Sequence, residues 1–298
     1  MSVLDPDDAV SHIVEGVEAV IAEAGVGRAA ILGVGVGVPG LVEHHADAVV
    51  HGQSVGWHAV PLEQMLRDRT RLPILVDNGA KTLGQAERWF GAARSTGNSV
   101  IVLLGIGVGM CIISNGEVYR GATSSAGEWG HTTVIAGGRT CRCGAQGCLE
   151  AYVGAGAIVA RYEQLKRRRA ASGPAELEAG IAEIIAAAGR DRIADQVLGE
   201  TVTYLGAGLA DLVNLFNPER IVIGGWLGLR LGPLLLQRIK DVLSQQALAY
   251  PAARVSIQLG ELGRDAVALG ASTLVLDDLV SRGGKPRPFD GSLPRPRI

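Results

Sequence analysis

The chain has 298 residues, of which 47% are hydrophobic and 19% charged, and its formal net charge is −2. This balance excludes an intrinsically disordered chain, and it excludes a broad cationic surface of the kind that follows nucleic acid phosphates. Aromatic residues make up only 4% of the chain, which argues against a stacking platform for single-stranded nucleic acid.

Helices and strands alternate through the first part of the chain. Asp5 as N-cap and Pro6 at the first helical position predict an opening helix, and Gly25 suits its C-terminal cap. The elements predicted after it are strand 30–38, helix 62–69, strand 72–76, a helix from residue 79 through 90, strand 99–104, a glycine-rich turn over 105–109, and a hairpin of 112–114 with 118–119.

The second part of the chain is richer in helix. Residues 151–216 predict almost continuous helix, followed by strand 221–224, strand 255–259 and helix 265–279. The alternation of strands and helices predicts an α/β protein. We predict a smaller α/β lobe of residues 1–99 plus 266–280, a larger α/β lobe of residues 100–265, and a disordered tail over the Pro/Gly/Arg-rich residues 281–298.

The strongest chemical signal is a histidine followed by three crowded cysteines. His131, Cys141, Cys143 and Cys148 have the spacing His-x9-Cys-x-Cys-x4-Cys, which is not that of a zinc finger. Three thiolates and one imidazole form a closed tetrahedral zinc set without an open position for water, so the zinc is expected to be structural. The alternative is three unpaired cysteines in a loop beside an unrelated histidine.

The cysteine usage also bears on location. Three thiols this close together favour metal binding in a reducing compartment over disulfides, so a cytoplasmic protein is expected. The sequence contains no run of about 18 uncharged apolar residues, so no membrane span is predicted. The residues near Met1 are acidic and lack the positive charge of a secretory signal, so no such signal is predicted.

The cysteines lie inside a longer string that resembles a known family. Residues 126–131 read AGEWGH and residues 141–150 read CRCGAQGCLE, which resembles the signature AGExGH…CxCGxxGCLE of the ROK proteins (repressors, open reading frames, kinases). Supporting segments are 38–40 (VPG), 54–57 (SVGW), 76–78 (VDN), 90–94 (FGAAR), 217–219 (NPE) and 223–225 (IGG). The resemblance covers roughly residues 30–276 and implies an actin-like, hexokinase-like (ribonuclease H-like) fold of two lobes around a sugar cleft.

The resemblance also implies roles for four residues. Asn78, Glu128, His131 and Glu150 stand where family proteins bind sugar hydroxyls, so a hexose or amino sugar, with or without a phosphate, is the expected ligand. Carboxylates accept hydroxyl hydrogen bonds, and an amide both donates and accepts. Zinc on one nitrogen of His131 would orient the other toward a hydroxyl. The alternative for Glu128 and Glu150 is that they are ordinary surface carboxylates.

This sequence departs from the kinases of the family at the catalytic base. The aspartate that follows the asparagine in those kinases is replaced here by Gly79, and neither Ala80 nor Lys81 can act as the base. Asp77, on the other side of Asn78, is expected to point elsewhere. A positioned general base contributes about 10²–10⁴-fold to a rate, so no catalytic residue is assigned.

The phosphate-binding elements also depart from the kinase pattern. Ile106 and Met110 replace the usual threonine and glycine of the glycine-rich turn. The strand and DxGGT-like loop that open family kinases are not found, so the N-terminal lobe is expected to be incomplete. ATP and magnesium are therefore not expected as cofactors.

These departures favour the sugar-binding effector domain of a ROK-type transcriptional regulator without kinase activity. Symmetric dimers are common in the family, so the resemblance also implies a homodimer. Regulators of the family carry a winged helix-turn-helix, which this sequence does not show, so DNA binding is expected only through a module outside this chain. One alternative is a stand-alone sugar-binding pseudokinase. The other is an ATP-dependent, glucokinase-like hexose kinase whose start has been misassigned.

Overall fold

A computed structural model describes residues 4–44, 47–168 and 173–287. The first of two compact units comprises the chain up to Ala86, Arg120–Ala126 and the chain from Asp265 onward, and the second comprises Glu87–Tyr119 and Gly127–Arg264. The lobe boundaries drawn from the sequence stay a prediction. Most of the predicted tail, residues 288–298, lies outside the described residues. In the part of the chain that is described, no helix has the length and apolar character needed to cross a membrane.

Ten α-helices and nine β-strands are found in these described ranges. The helices are α1 (Pro6–Ala24), α2 (Leu62–Thr70), α3 (Gly79–Trp89), α4 (Glu150–Val153), α5 (Ala155–Lys166), α6 (Pro174–Ala187), α7 (Arg192–Phe216), α8 (Gly225–Gln246), α9 (Ala249–Ala252) and α10 (Ala266–Ser281). The strands are β1 (Val34–Val38), β2 (Leu41–His44), β3 (Ala48–His51), β4 (Ile74–Asn78), β5 (Ser99–Leu104), β6 (Val108–Ser114), β7 (Glu117–Val118), β8 (Arg220–Gly224) and β9 (Ser256–Leu259). The predicted α/β class is confirmed.

The first unit is built on a parallel pair of strands. β1 and β4 pair in register from Val34 with Ile74 to Val38 with Asn78, so both strands end at the same edge. Helix α10 approaches β1 closely because Gly35 has no side chain: a Cβ there would lie 1.8 Å from the carbonyl oxygen of Ala271. The buried apolar core of this unit includes Val10, Val38, Val42, Val50, Leu62, Leu66, Ile74 and Val76.

The second unit is built on a five-stranded sheet in the order β7-β6-β5-β8-β9. β5 pairs antiparallel with β6 and parallel with β8, and β8 pairs parallel with β9. The carboxyl ends of β5 and β8 lie together, at Leu103 and Gly224, and such an edge is where α/β folds place ligands. The core that joins this sheet to its helices includes Val102, Leu149, Ile158, Val202, Leu209, Ile223, Leu227 and Leu235.

Two features of the fold were not predicted from the sequence. One is the antiparallel hairpin of β2 and β3. The other is helix α8, which begins with three glycines within eight residues and has Pro233 inside it. Glycine and proline both oppose helix formation, so the local signal is poor. The helix is stabilised by tertiary packing, since Leu227, Leu231 and Leu235 are buried along one face.

A buried carboxylate connects the segment Arg120–Ala126 to the first unit. Asp77, at the end of β4, is 2% exposed and accepts a bond of 2.7 Å from Nη2 of Arg120. Its Oδ1 accepts from the backbone N–H of Asn78 at 2.7 Å and lies 3.7 Å from Nε2 of His44. Burial by itself would raise the pKa of Asp77, but the neighbouring His44 and the charge and hydrogen bond of Arg120 lower it to about 2.

We predict that Asp77→Asn lowers the free energy of unfolding at neutral pH and that this difference shrinks in acid. Because the folded-state pKa lies below the unfolded value, the ionised carboxylate stabilises the protein above about pH 4, by on the order of 2 kcal/mol. That contribution is lost as the pH falls from about 4 toward 2. Urea unfolding of both proteins between pH 2.5 and 7 measures it.

The control for this prediction is Glu117→Gln, because Glu117 pairs with Arg88 while 79% exposed. Exposed ion pairs contribute little, so this variant should follow the wild type at every pH. A difference between Asp77→Asn and the wild type that stays constant from pH 7 to 2.5 would contradict the prediction.

Candidate functional site

The four predicted metal ligands lie together in the second unit. His131 ends a short 3-10 turn, Trp129–His131, and the three cysteines lie on the loop that leads into α4. Their ligand atoms all lie within 4.8 Å of one another. Sγ of Cys141 is 3.7 Å from Nδ1 of His131, and Sγ of Cys143 is 3.7 Å from Sγ of Cys148. The structure therefore assembles a cluster that can bind a metal ion.

Two of the distances between these atoms fit a tetrahedral metal site and exclude a disulfide between Cys143 and Cys148. A disulfide needs sulfur atoms about 2.05 Å apart, far closer than the 3.7 Å between Cys143 and Cys148. Zn–S bonds of about 2.3 Å at tetrahedral angles separate two sulfurs by roughly 3.8 Å, and a sulfur and an imidazole nitrogen by roughly 3.6 Å. Burial, together with the adjacent Cys143 and Cys141 sulfurs, raises the pKa of the Cys148 thiol to about 12.

The loop that carries the cysteines, residues 139–148 (the cysteine loop), is held by backbone and side-chain contacts. The N–H of Cys141 donates to the carbonyl of Ala145 at 2.8 Å, which folds the chain back between the ligands. Gly147 has φ +83°, and a Cβ there would lie 1.7 Å from the carbonyl oxygen of Ile135. Arg139 anchors the start of the loop by stacking 4.6 Å above the ring of Tyr152.

Glu150 contacts both the cysteine loop and the glycine-rich turn. It is 8% exposed and begins helix α4. Its Oε2 accepts from the N–H of Val108 at 2.8 Å, and its Oε1 accepts from Nη2 of Arg142 at 2.9 Å. The same Oε1 lies 4.0 Å from Sγ of Cys141. Two of the predicted sugar ligands, His131 and Glu150, therefore both neighbour Cys141.

The turn between β5 and β6, residues 105–107 (the glycine turn), is engaged by groups of the chain itself. The carbonyl of Gly105 accepts from the N–H of Ala155 at 3.0 Å, and the carbonyl of Ile106 accepts from Arg142 at 3.2 Å. A Cβ at Gly107 would lie 3.0 Å from Oε2 of Glu150. A carboxylate thus lies directly against the backbone that a bound phosphate would approach.

One residue of the predicted phosphate turn lies elsewhere. Met110 is in strand β6, and its side chain is buried in the core of the second unit rather than in the glycine turn. The departure at Met110 therefore places no side chain in the turn. Ile106, which is 36% exposed, is the bulky residue of the turn itself.

Asn78 lies in the first unit, where it caps helix α3. Its Oδ1 accepts from the N–H groups of Ala80 at 2.8 Å and Lys81 at 3.3 Å. Its Nδ2 donates to the carbonyl of Gly40 at 2.7 Å. Both lone pairs of the amide oxygen are used, so the side chain keeps one N–H for a ligand.

The position of the missing base, Gly79, is the first residue of α3 and has room for a side chain. A Cβ there would lie 3.5 Å from the nearest atom, the carbonyl oxygen of Val38, which is ordinary contact. The neighbouring Asp77 is bound to Arg120, as expected for a carboxylate directed elsewhere. Its pKa of about 2 makes it a poor proton acceptor.

Glu128, the remaining predicted sugar ligand, is half-buried and precedes the turn that ends in His131. Its backbone carbonyl accepts from the N–H of His131 at 3.0 Å.

Sequence reasoning missed Arg142 and Arg120 as partners of buried carboxylates. Arg142 could have been noticed, because it stands between two metal ligands, whereas nothing near Arg120 in the sequence points to Asp77.

Comparison with known proteins identifies the family of this chain. The ROK family model matches residues 3–278. A putative xylose repressor from a Caldicellulosiruptor species is 33% identical over 84% of this chain, and the chain spans 64% of that repressor's length. A glucokinase from Halalkalibacterium halodurans is 35% identical over 82% of this chain and 76% of its own length.

A solved structure shows the same fold. The ROK family glucokinase from Streptomyces griseus, in complex with glucose and AMPPNP, superimposes with a TM-score of 0.75 at 29% identity, over 90% of this chain and 88% of its own. The predicted actin-like, hexokinase-like fold is thereby confirmed. With the family model covering nearly the whole chain and a relative above 30% identity along most of its length, the chain belongs to the ROK family.

Proposed function

We propose that this chain is the sugar-binding effector part of a ROK-type transcriptional regulator and that it does not phosphorylate its ligand. The observation that carries the proposal is the absence of a base among the described residues at the start of α3. Gly79 has no side chain, and Asp77 is buried and bound to Arg120. Phosphoryl transfer to a sugar needs a group that takes the hydroxyl proton.

The proposed ligand is a hexose or an amino sugar, with or without a phosphate. Glu128, His131, Glu150 and Asn78 are the proposed contacts. Oε2 of Glu150 accepts one hydrogen bond, from the N–H of Val108, whereas Oε1 accepts from Arg142 and from the thiol of Cys141. A carboxylate oxygen has two lone pairs, so Oε2 keeps one for a hydroxyl. The glucose in the S. griseus glucokinase complex supports this class of ligand.

The proposed role of the cysteine cluster is to hold one structural zinc ion through His131, Cys141, Cys143 and Cys148. Four protein ligands leave no open position, so the ion would supply rigidity and charge rather than activate water. Because Nδ1 of His131 faces Cys141, Nε2 is the nitrogen available to a sugar hydroxyl.

A second candidate function is an ATP-dependent hexose kinase. The 35% identity to the H. halodurans glucokinase favours it, whereas the identity to the xylose repressor is 33%, so similarity alone does not discriminate. A stand-alone sugar-binding pseudokinase is the third candidate. The homodimer, the DNA-binding partner module and the cytoplasmic location stay predictions.

The first prediction from this proposal concerns the metal. We expect one zinc ion per chain, and we expect Cys143→Ser to lose it and to unfold at a much lower temperature. Structural zinc contributes apparent binding energies of about 10–16 kcal/mol in small domains. Metal analysis and thermal unfolding measure the two effects, with Cys111→Ser as the control because Cys111 lies outside the cluster. Less than half an equivalent of zinc in carefully purified protein would contradict the prediction.

The second prediction concerns the sugar. Titration calorimetry with glucose, mannose, their 2-acetamido forms and their 6-phosphates should find a ligand that binds below millimolar concentration. Glu150→Gln removes a charge-assisted acceptor, worth about 1.5–3 kcal/mol, and should weaken that ligand about tenfold or more. Glu117→Gln, at an exposed position, should bind as the wild type does. An unchanged affinity in Glu150→Gln would remove Glu150 from the site.

The third prediction concerns catalysis. ADP formation with saturating ATP and magnesium should stay at background for every sugar in the same panel. Gly79→Asp should fold, because the position has room for a side chain and an acidic residue is favourable at a helix N-terminus. It should nevertheless stay inactive, because the phosphate-binding turn also departs from the kinase pattern, at Ile106. A wild-type turnover of about 1 per second, a slow rate for a kinase, would favour the kinase function instead.

A further inference from the structure

Arg142 is the one residue between Cys141 and Cys143, and its side chain reaches out of the cysteine loop. Its Nη2 donates to Oε1 of Glu150 at 2.9 Å and to the carbonyl of Ile106 at 3.2 Å. A single guanidinium therefore connects the cysteine loop, helix α4 and the glycine turn. The side chain is 32% exposed, whereas that of Glu150 is 9% exposed.

A cation beside Glu150 would offset negative charge from the carboxylate and from a metal-loaded cluster. Three thiolates and an imidazole on a divalent ion would carry a net charge of −1, and Oε1 of Glu150 lies 4.0 Å from the sulfur of Cys141. Among the described side chains that contact this carboxylate, Arg142 is the cation. The N–H of Val108 binds the other oxygen, so the carboxylate is held from two sides in one orientation.

We propose that Arg142 is a positioning residue of the sugar site, which holds the Glu150 carboxylate in the orientation that presents it to sugar hydroxyls. This inference rests on the proposed function. Arg142 binds Oε1 through one nitrogen, and Oε2 accepts a single hydrogen bond, from Val108, so the guanidinium leaves a lone pair of the carboxylate open to a ligand. Its backbone is fixed between two ligands of the metal cluster, so the cluster sets where the guanidinium can reach.

The experiment compares Arg142→Ala with Arg139→Ala. Arg139 lies on the same cysteine loop but pairs with Glu200 and stacks on Tyr152, away from Glu150. Titration calorimetry with glucose, mannose and their 2-acetamido forms measures affinity, and metal analysis measures zinc per chain. We expect Arg142→Ala to bind sugar about tenfold more weakly with its zinc retained, and Arg139→Ala to lose less affinity.

Two further measurements separate positioning from a merely structural role. Added guanidinium ion should restore part of the lost affinity in Arg142→Ala but not in Arg139→Ala, because the ion can fill the vacated place beside Glu150. Arg142→Lys should retain an intermediate affinity, since an ammonium carries the charge without the planar geometry.

Arg142→Ala that binds sugar as tightly as the wild type, or that loses affinity only together with its zinc, would overturn this role while leaving the proposed function intact. Equal losses in the two alanine variants, without rescue by guanidinium, would also overturn it. A wild-type protein that binds no sugar of the panel would overturn the proposed function itself, and the role of Arg142 with it.

Discussion

In the second unit, the arrangement of helix α4, the glycine turn and the cysteine loop depends on the contacts of the Glu150 carboxylate. It lies at the first residue of α4 and binds Val108 through one oxygen and Arg142 through the other. Helix, glycine turn and cysteine loop are thereby joined at one buried group. A buried carboxylate is costly unless it is paired and hydrogen-bonded, and here both conditions are met by groups of the chain.

This contact bears on what the glycine turn can bind. Backbone N–H groups at the ends of parallel strands are suited to anions such as phosphate. In this chain the N–H of Val108 already donates to a carboxylate, and that carboxylate would lie 3.0 Å from a Cβ at Gly107. A phosphate at the same place would meet an occupied donor and a negative charge. If Glu150 binds sugar hydroxyls as proposed, the same carboxylate would disfavour a nucleotide phosphate against this turn.

The sequence predicted what depends on local pattern. The α/β class follows from alternating apolar runs, and the start of α1 follows from Asp5, whose side chain accepts from the N–H groups of Asp7 and Asp8. The metal cluster follows from residue type and spacing. Helix α8 was missed because its glycines and Pro233 oppose helix formation locally, and only packing in the folded chain compensates. The partners of Asp77 were missed for a related reason, because Arg120 lies far away in the sequence.

A glycine at residue 79 is compatible with an intact surrounding structure, so the proposed lack of a catalytic base would not disturb the fold. The N-terminus of α3 is capped by Asn78, not by residue 79. Asp77 forms a buried ion pair with Arg120. It therefore does not replace a base at residue 79, and its own contacts do not depend on the side chain there. A Cβ at residue 79 would make only ordinary van der Waals contact, 3.5 Å from the carbonyl oxygen of Val38. A substitution at residue 79 can therefore leave the fold unchanged. A substitution at Glu150 would instead disturb the contacts among the three elements that this residue joins.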